Sequence, residues 1–462
     1  MANTVLRRSL FSTCTALVFL AVSYVVSFYL PLYLWHKNSW LYPVDLYATL
    51  RDAHMILWGG YSVIYSIGSG LIAPPLGALS LTPLAFLIDV FKLFEPFPFS
   101  VPFPSAWPVS LAYLGLYQAA WAYSVITFYE KYCGIGKGAY VFSFIVSLCG
   151  AYLLFPWGHP EDIVALLLCV SIFILIDDGK IVKASYLTGL ALGFQPFALL
   201  FLIPLWIIKA PNISSLLRSS MRIAIIPVTL YVPILIADSK STLQVLLHQP
   251  NFPKVDHLTI VGRLAQISSG AVPAGPFRGV MIALAVVVGV WGRRYFAKRT
   301  PDWRAVFFVC VFSLSLRIIF EPVMVPYYVV AFGVLGMFLA PSQLRLKIVY
   351  MGVTVSLFVL ILAASSMRLV ALQYSLILYA ATFAMIGVFG TGVLVEELKN
   401  SISNPGKNFH KDENCEAALF DGVNAALAPV VERSLDRIRF QGSREILMQD
   451  DKKDTSVHLE AQ

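Results

Sequence analysis

Long apolar segments alternate with short polar segments throughout the first 395 residues of this chain. A helix needs about 20 apolar residues to cross a hydrocarbon core roughly 30 Å thick, and each segment approaches that length. The pattern predicts an all-α polytopic membrane protein with about 12 transmembrane helices, within a range of about 11 to 13. The apolar segments lie at 10–35, 72–93, 106–129, 138–156, 162–177, 184–208, 221–237, 277–292, 303–320, 326–341, 347–365 and 369–395.

Basic residues in the short connections predict the orientation, because positively charged loops are retained on the cytoplasmic side. This rule places 156–161, 238–276 and 321–326 on the outer side of a bacterial plasma membrane. Arg7 and Arg8 precede a first helix that we interpret as uncleaved, so both termini are predicted to be cytoplasmic. The other connections predicted to be cytoplasmic carry Lys180 and Lys183, Lys209, Arg218 and Arg222, Arg293 to Arg304, and Arg345 and Lys347.

Two segments do not fit a simple count of spans. Residues 184–208 have basic residues on both sides, which predicts two short helices that enter and return around Gln195-Pro196. Two apolar segments also separate the predicted outer segment 36–70 from Lys131 and Lys137, which are predicted to be cytoplasmic. A short or re-entrant piece between Pro74 and Pro108 would reconcile the two.

Charge divides the chain into a predicted membrane domain, 1–395, and a polar, partly disordered cytoplasmic tail, 396–462. The first carries 25 Lys and Arg against 13 Asp and Glu, and the second 9 against 13, within a total net charge of +8. The basic excess lies in short loops, which argues against nucleic-acid binding. The six cysteines have no disulfide or zinc-site spacing, and no nucleotide-binding motif occurs in the sequence.

Several motifs together resemble the GT-C class of membrane glycosyltransferases, particularly the bacterial group that uses polyprenol-phosphate mannose. They are YPVDLYATLRDAHMILWGGYSVIYSIGSGLIAPPLGALSLTPLAFL, FPWGHPEDIVALL, GLALGFQPFALL and RIIFEPVMVPYYVVAF. HQPNFPKVDHLT and AGPFR resemble an uncharacterised actinobacterial subgroup of it, and the similarity covers about residues 1–345. In that class an acidic residue of the first outer loop is the catalytic base, and Asp45 stands at the matching position.

The resemblance implies an inverting hexosyl or pentosyl transfer, with mannose as the first expectation and without a cofactor. The donor is a polyprenyl-phosphate sugar, and the acceptor is a hydroxyl of an extracytoplasmic lipid or glycan. A hydroxyl is a weak nucleophile, so a carboxylate must take its proton, and the departing phosphate must meet cations. The candidate cations are Lys254, Arg263, Arg278 and Arg317.

Other polar residues near the predicted outer surface are candidates for substrate binding, because ionisable groups beside a membrane cavity are usually functional. We expect Asp45, His159, Arg317 and either Asp256 or His257 to face one cavity. The further candidates are Asp52, His54, Glu161, Asp162, Gln195, Asn251, Glu321, Tyr327 and Tyr328.

Ordinary structural roles stay open for residues of the first two outer segments. Asp45 suits the N-cap of a helix, and Asp52 and His54 suit a solvated helix face. Glu161 and Asp162 suit a first helical turn, where the helix dipole favours acidic groups.

The later outer segments have alternatives too. Arg317 and Glu321 are four residues apart and suit an ion pair, while Tyr327 and Tyr328 suit the aromatic belt of a membrane interface. Residues 238–276 suit a surface cap built from turn residues.

Three alternatives concern function. His159, Glu161 and Asp162 leave open a divalent-metal site. A transporter or flippase for a lipid-linked saccharide would also use Pro-broken helices and buried charges. A membrane scaffold that acts through its tail is the third.

Overall fold

The computed structural model shows a chain in two compact units, Met1–Leu398 and Lys399–Gln462. Helices account for the regular structure of the described residues, which contain no strand, so the predicted all-α class is confirmed. The structure describes residues 2–34, 44–65, 74–93, 106–134, 136–248, 259, 261–262, 274–297, 302–321, 325, 327–366 and 371–403.

Fifteen α-helices occur in this described part of the chain. They are α1 Ala2–Leu34, α2 Val44–Gly59, α3 Pro75–Val90, α4 Ala106–Tyr132, α5 Lys137–Ala151, α6 Pro160–Asp177, α7 Ile181–Phe194, α8 Ala198–Lys209, α9 Ile213–Ala237, α10 Ser239–His248, α11 Ala274–Phe296, α12 Trp303–Phe320, α13 Tyr328–Gly336, α14 Leu344–Ser366 and α15 Ala371–Ser403.

Seven segments among the described residues have the length and apolar composition to cross a membrane, as expected of a multi-pass membrane protein. They are Thr4–Ser27, Gly138–Phe155, Ile213–Ala237, Phe277–Phe296, Trp303–Phe320, Leu344–Ala364 and Leu372–Lys399. Shorter apolar helices are Pro75–Val90, Ile181–Phe194, Ala198–Lys209 and Tyr328–Leu339.

Helices α1 and α4 pack antiparallel along their length. Near one end the Arg8 guanidinium contacts Glu130 at 2.5 Å, and near the other the Tyr24 hydroxyl donates to the Pro108 carbonyl at 2.9 Å. The end of α1 and the start of α4 therefore lie at the same end of the bundle. The segment between them returns to where it began, which removes the conflict that two full spans would create.

Helix α3 is shorter than the predicted apolar segment 72–93. It has 16 residues, fewer than the about 20 that a perpendicular crossing requires. Its start lies against α6, where Gly77 approaches Glu161, and near its end Asp89 contacts His54 of α2 at 3.0 Å. α3 thus runs beside α2, and Pro74 and Pro75 set its first turn, a position that proline favours.

Helices α7 and α8 form the predicted hairpin, and the break at Gln195-Pro196 is confirmed. The Trp206 indole donates to the Thr188 hydroxyl at 3.0 Å between the two helices. Lys180 before α7 and Lys209 at the end of α8 both contact the acidic pair that ends α6. The hairpin therefore begins and ends at one end of the bundle.

We call that end the lysine end, defined by Lys131, Lys180 and Lys209, and the opposite end, at the start of α6, the His159 end. Other basic residues lie at the lysine end too, since Arg293 donates to the Ile207 carbonyl of α8 at 3.2 Å and Lys347 lies 5.5 Å from the Tyr129 ring. The connections predicted to be basic and cytoplasmic thus share one end.

The structure differs from the sequence prediction at the start of the surface loop and at the start of the tail. The predicted surface loop 238–276 opens with α10, because the Asp238 carboxylate accepts from the Ser241 backbone N–H at 3.0 Å and caps that helix. The predicted tail opens with helix, since α15 continues to Ser403. Glu396 is buried there and accepts from the Ser342 backbone N–H at 2.6 Å, which holds this part of α15 in place.

Candidate functional site

Asp45 lies in the first turn of α2 and reaches from that helix to the start of α6. Its Oδ2 lies 2.8 Å from Nε2 of His159, although the two residues are 114 apart in the sequence. The Asp45 side chain remains 30% exposed. Because α2 already begins at Val44, Asp45 occupies the first turn rather than the N-cap position that we considered for it.

His159 is positioned by a sharp turn between α5 and α6. Gly158 has φ of +81°, a conformation that glycine adopts without strain, and Pro160 opens α6. The His159 backbone N–H donates to the Leu153 carbonyl at 2.8 Å. These constraints aim the imidazole at two carboxylates, since Nδ1 lies 2.6 Å from Glu161 Oε1 while Nε2 faces Asp45.

The surroundings of His159 favour its protonated form. Burial alone would lower the pKa of the imidazole, but the charge of Glu161 and the hydrogen bonds to Asp45 and Glu161 raise it, as does the charge of Asp162. The pKa of His159 therefore lies well above its ordinary value. The Tyr327 ring stacks on the imidazole, with a centroid distance of 4.1 Å and an interplanar angle of 30°.

Glu161 and Asp162 supply more acceptor atoms than the described residues satisfy. Both are buried, and neither Glu161 Oε2 nor Asp162 Oδ1 has a hydrogen-bond partner among those residues. Such atoms carry a free-energy cost, which functional sites often retain. Gly77 of α3 permits this arrangement, because a Cβ at that position would lie 3.2 Å from the Cβ of Glu161.

Arg317 provides the cation of the cluster from the last turn of α12. Its guanidinium carbon lies 3.6 Å from the centroid of the Tyr328 ring and 5.0 Å from that of Phe197. Glu321 approaches Arg317 Nε at 3.9 Å, longer than a hydrogen bond. Aromatic rings thus contact the guanidinium, and within the described part of the chain its N–H groups make no hydrogen bond.

The acidic and cationic halves of the cluster adjoin. The Tyr327 ring, stacked on His159, contacts the Tyr328 ring at 4.7 Å, and Tyr328 carries Arg317. Asp162 lies within electrostatic range of both His159 and Arg317. Both tyrosines therefore contact the charged groups of this cluster, rather than serving only as the interfacial belt we considered.

Two predicted residues of α2 lie away from this cluster. His54 Nδ1 contacts Asp89 of α3 at 3.0 Å, and Trp58 donates to the same carboxylate at 2.5 Å. Asp52 is fully buried within electrostatic range of Tyr65. A solvated helix face is therefore wrong for both residues, because α3 and the chain after α2 cover them.

The remaining predicted residues lie further out or outside the described part. Gln195 is half-buried at the tip of the α7–α8 hairpin, and its neighbour Phe197 contacts Arg317. Arg278 is half-buried, within electrostatic range of Glu321. The residues outside the described part are Asn251, Lys254, Asp256, His257 and Arg263.

Sequence reasoning missed three residues that shape the cluster. Trp157, whose ring lies 5.2 Å from Tyr327, is part of the FPWGHPED motif, and Gly77 follows the diproline. The motifs that contain Trp157 and Gly77 therefore carried a signal for both residues. Phe197 carried no signal, because an aromatic residue in an apolar segment is ordinary.

The orientation of His159 bears on the divalent-metal site left open by the sequence. Both nitrogens of His159 face carboxylates, so the imidazole directs no lone pair at a cation, and the described residues contain no group of three or more His, Cys, Asp or Glu that could hold a metal ion. The partly exposed Asp45 carboxylate can accept a proton, and the Arg317 guanidinium, linked to it through His159, Tyr327 and Tyr328, can bind an anion. Neither a protein-family model nor a curated protein sequence matches this chain.

Proposed function

We propose that this chain is an inverting GT-C-type glycosyltransferase of the bacterial plasma membrane. It moves a hexose or pentose, with mannose the first candidate, from a polyprenyl-phosphate donor to a hydroxyl of an extracytoplasmic lipid or glycan. We further propose that about 12 helices cross the membrane and that both termini are cytoplasmic. The resemblance of the motifs around Asp45, His159 and Tyr327 to that class supports it.

One observation carries the proposal: the Asp45 carboxylate and the Arg317 guanidinium belong to one continuous cluster at one end of the bundle. In the reaction Asp45 takes the proton of the acceptor hydroxyl, and the acceptor oxygen bonds to the anomeric carbon. The bond from that carbon to the phosphate oxygen breaks, and its electron pair leaves with the phosphate. The negative charge gained by the phosphate is stabilised by Arg317.

The state of Arg317 suits this task. An arginine held by aromatic rings keeps its orientation while its N–H edge remains available for two parallel hydrogen bonds to phosphate oxygens. Its side chain is 13% exposed, so little water has to be displaced when a phosphate arrives. A cation in such a setting stabilises charge more strongly than one in water.

The basic residues support a proposed orientation of the helix bundle in the membrane. The lysine end carries the basic connections, which membrane insertion retains in the cytoplasm. Asp45 and His159 then face the extracytoplasmic side, where a polyprenyl-phosphate sugar presents its headgroup.

A saccharide transporter or flippase is the second candidate, and the same cluster favours it. Chains of Asp, His and Glu inside membrane proteins also serve as proton relays in transporters. Asp45, His159 and Glu161 form such a chain, with links of 2.8 and 2.6 Å.

Incubation of the purified full chain with radiolabelled polyprenyl-phosphate sugars and membrane lipid acceptors tests the enzyme proposal. We expect a glycosylated product that Asp45→Asn reduces by about 100- to 10,000-fold, the contribution of a general base. Asp178→Asn, an exposed carboxylate at the lysine end, is the matched control and should keep full activity.

Full transfer by a folded Asp45→Asn protein would overturn the assignment of the base. Movement of a lipid-linked saccharide across proteoliposomes, without any glycosylated product from the whole panel, would favour the transporter.

A further inference from the structure

We propose that His159 is a positioning residue for Asp45: a protonated imidazole, anchored by Glu161, that holds the Asp45 carboxylate with one oxygen directed at the acceptor. The inference rests on the glycosyl transfer proposed above. It gives a role to His159, which takes no part in the proton transfer or in the departure of the phosphate. It is carried by the two contacts of the ring, 2.8 Å from Nε2 to Asp45 and 2.6 Å from Nδ1 to Glu161.

The two contacts require an additional proton. A neutral imidazole donates from one nitrogen only, and the lone pair of the other would face a carboxylate oxygen. An imidazolium donates from both nitrogens, and each resulting hydrogen bond to a carboxylate is charge-assisted. Because Asp45 Oδ2 is engaged with His159, Oδ1 remains to accept the proton of the acceptor hydroxyl.

Further contacts hold His159 in place. Tyr327 stacks on its face, and the backbone N–H of Asp162 donates to the His159 carbonyl at 3.2 Å. Glu161 in turn is backed by α3 at Gly77. Among the residues that the structure describes, the charged or titratable groups that face His159 are Asp45 of α2, Glu161 and Asp162 of α6, and Tyr327 before α13.

Two substitutions separate the contacts of the ring. The amide of His159→Gln reaches the place of Nε2 and keeps a donor for Asp45, whereas that of His159→Asn reaches the place of Nδ1 and keeps only the contact with Glu161. We expect His159→Asn to lower kcat/KM by about 10- to 100-fold, the worth of one charge-assisted hydrogen bond. His159→Gln should restore most of that loss.

The division of the loss between kcat and KM distinguishes positioning from mere structural support. In His159→Asn the loss should fall on kcat while the KM for the donor stays within about two-fold, because the orientation of Asp45 changes and donor binding does not. Equal activity of the Gln and Asn variants, or a loss confined to KM, would overturn the inference.

A second readout needs no activity. The ¹⁵N spectrum of labelled histidines, assigned by difference from His159→Gln, should show both nitrogens of His159 protonated at pH 8, while Glu161→Gln should make the ring neutral there. A neutral His159 in the wild-type protein at pH 8 would overturn the inference. An inactive Asp45→Asn protein beside that neutral ring would leave the glycosyl transfer standing, and an active one would remove the transfer itself.

Discussion

At the lysine end, Lys131, Lys180 and Lys209 share the carboxylates of Asp177 and Asp178 at distances of 2.5 to 3.6 Å, and the side chains are 25 to 55% exposed. At the His159 end most of the described charged groups are more deeply buried, with Asp45 the exception at 30% exposed, and among the described residues carboxylates outnumber cations. Exposed ion pairs join helices at little cost or gain. Burying charges that are not fully paired costs free energy, and such charges are retained mainly at functional sites.

The lysine end also shows what a structural network looks like in this chain. Its ion pairs connect α4, the turn after α6 and the end of α8, and Tyr132 donates to Asp177 at 3.0 Å. A cavity of about 240 Å³ lies beside the start of α9. Arg218 and Arg222, which line part of it, add further positive charge to this helix. Among the described residues, the two ends therefore differ in the sign of the excess charge as well as in its exposure.

Removing one cation from each end should give the largest contrast. We expect Arg317→Gln to lower kcat/KM for the lipid-phosphate donor by about 100- to 1,000-fold, because a charge-stabilising group is lost from a buried site. Lys131→Gln, at a 27% exposed position, should change it less than about two-fold. Initial rates over a range of donor concentrations measure both. Equal losses in the two variants would abolish the distinction between the ends.

A methyl group beside Glu161 should give an intermediate effect. Gly77→Ala places a Cβ 3.2 Å from the Cβ of Glu161, so the glutamate must move by a few tenths of an ångström. Small displacements of a site lower rates strongly, and we expect a reduction in kcat/KM of about 3- to 10-fold. Gly279→Ala, where no atom lies within 4 Å, is the matched control and should keep wild-type kinetics. A wild-type rate for Gly77→Ala would show that the position of Glu161 does not matter.

The smallest effect belongs to the lysine end. Asp177→Asn weakens contacts with Lys131 and Lys209, which are partly exposed and screened by solvent. We expect the free energy of unfolding to fall by about 0.2 to 1 kcal/mol and glycosyl transfer to stay within about two-fold of wild type. Thermal unfolding in detergent and initial rates measure the two quantities. A ten-fold loss of transfer would mean that this end takes part in the reaction.

The α7–α8 hairpin was predictable because its signal is local. Basic residues on both sides of 184–208 and the Gln195-Pro196 break are readable in sequence, and the hairpin follows from them. The path of α3 was not, because its apolar composition matches a span and only its contacts with α2 and α6 show the course of its 16 residues.

The candidate site was predictable in membership but not in arrangement. Asp45, His159 and Arg317 stand out as ionisable residues near apolar segments. His159 and Glu161 are two residues apart in one motif, but the contact between Asp45 and His159 joins residues 114 apart and depends on tertiary packing, so sequence spacing does not predict it. Helical periodicity does place His54 on the face of α2 opposite Asp45, whereas Asp52 shares the face of Asp45 and lies two turns further along.

The return of the chain between α1 and α4 to the same end has a consequence for how such proteins diversify. A segment that leaves and re-enters one face can grow, shrink or be exchanged without inverting any helix that follows it. The segment bearing Asp45, the proposed base, can thus be remodelled while the helix bearing Arg317 keeps its sidedness.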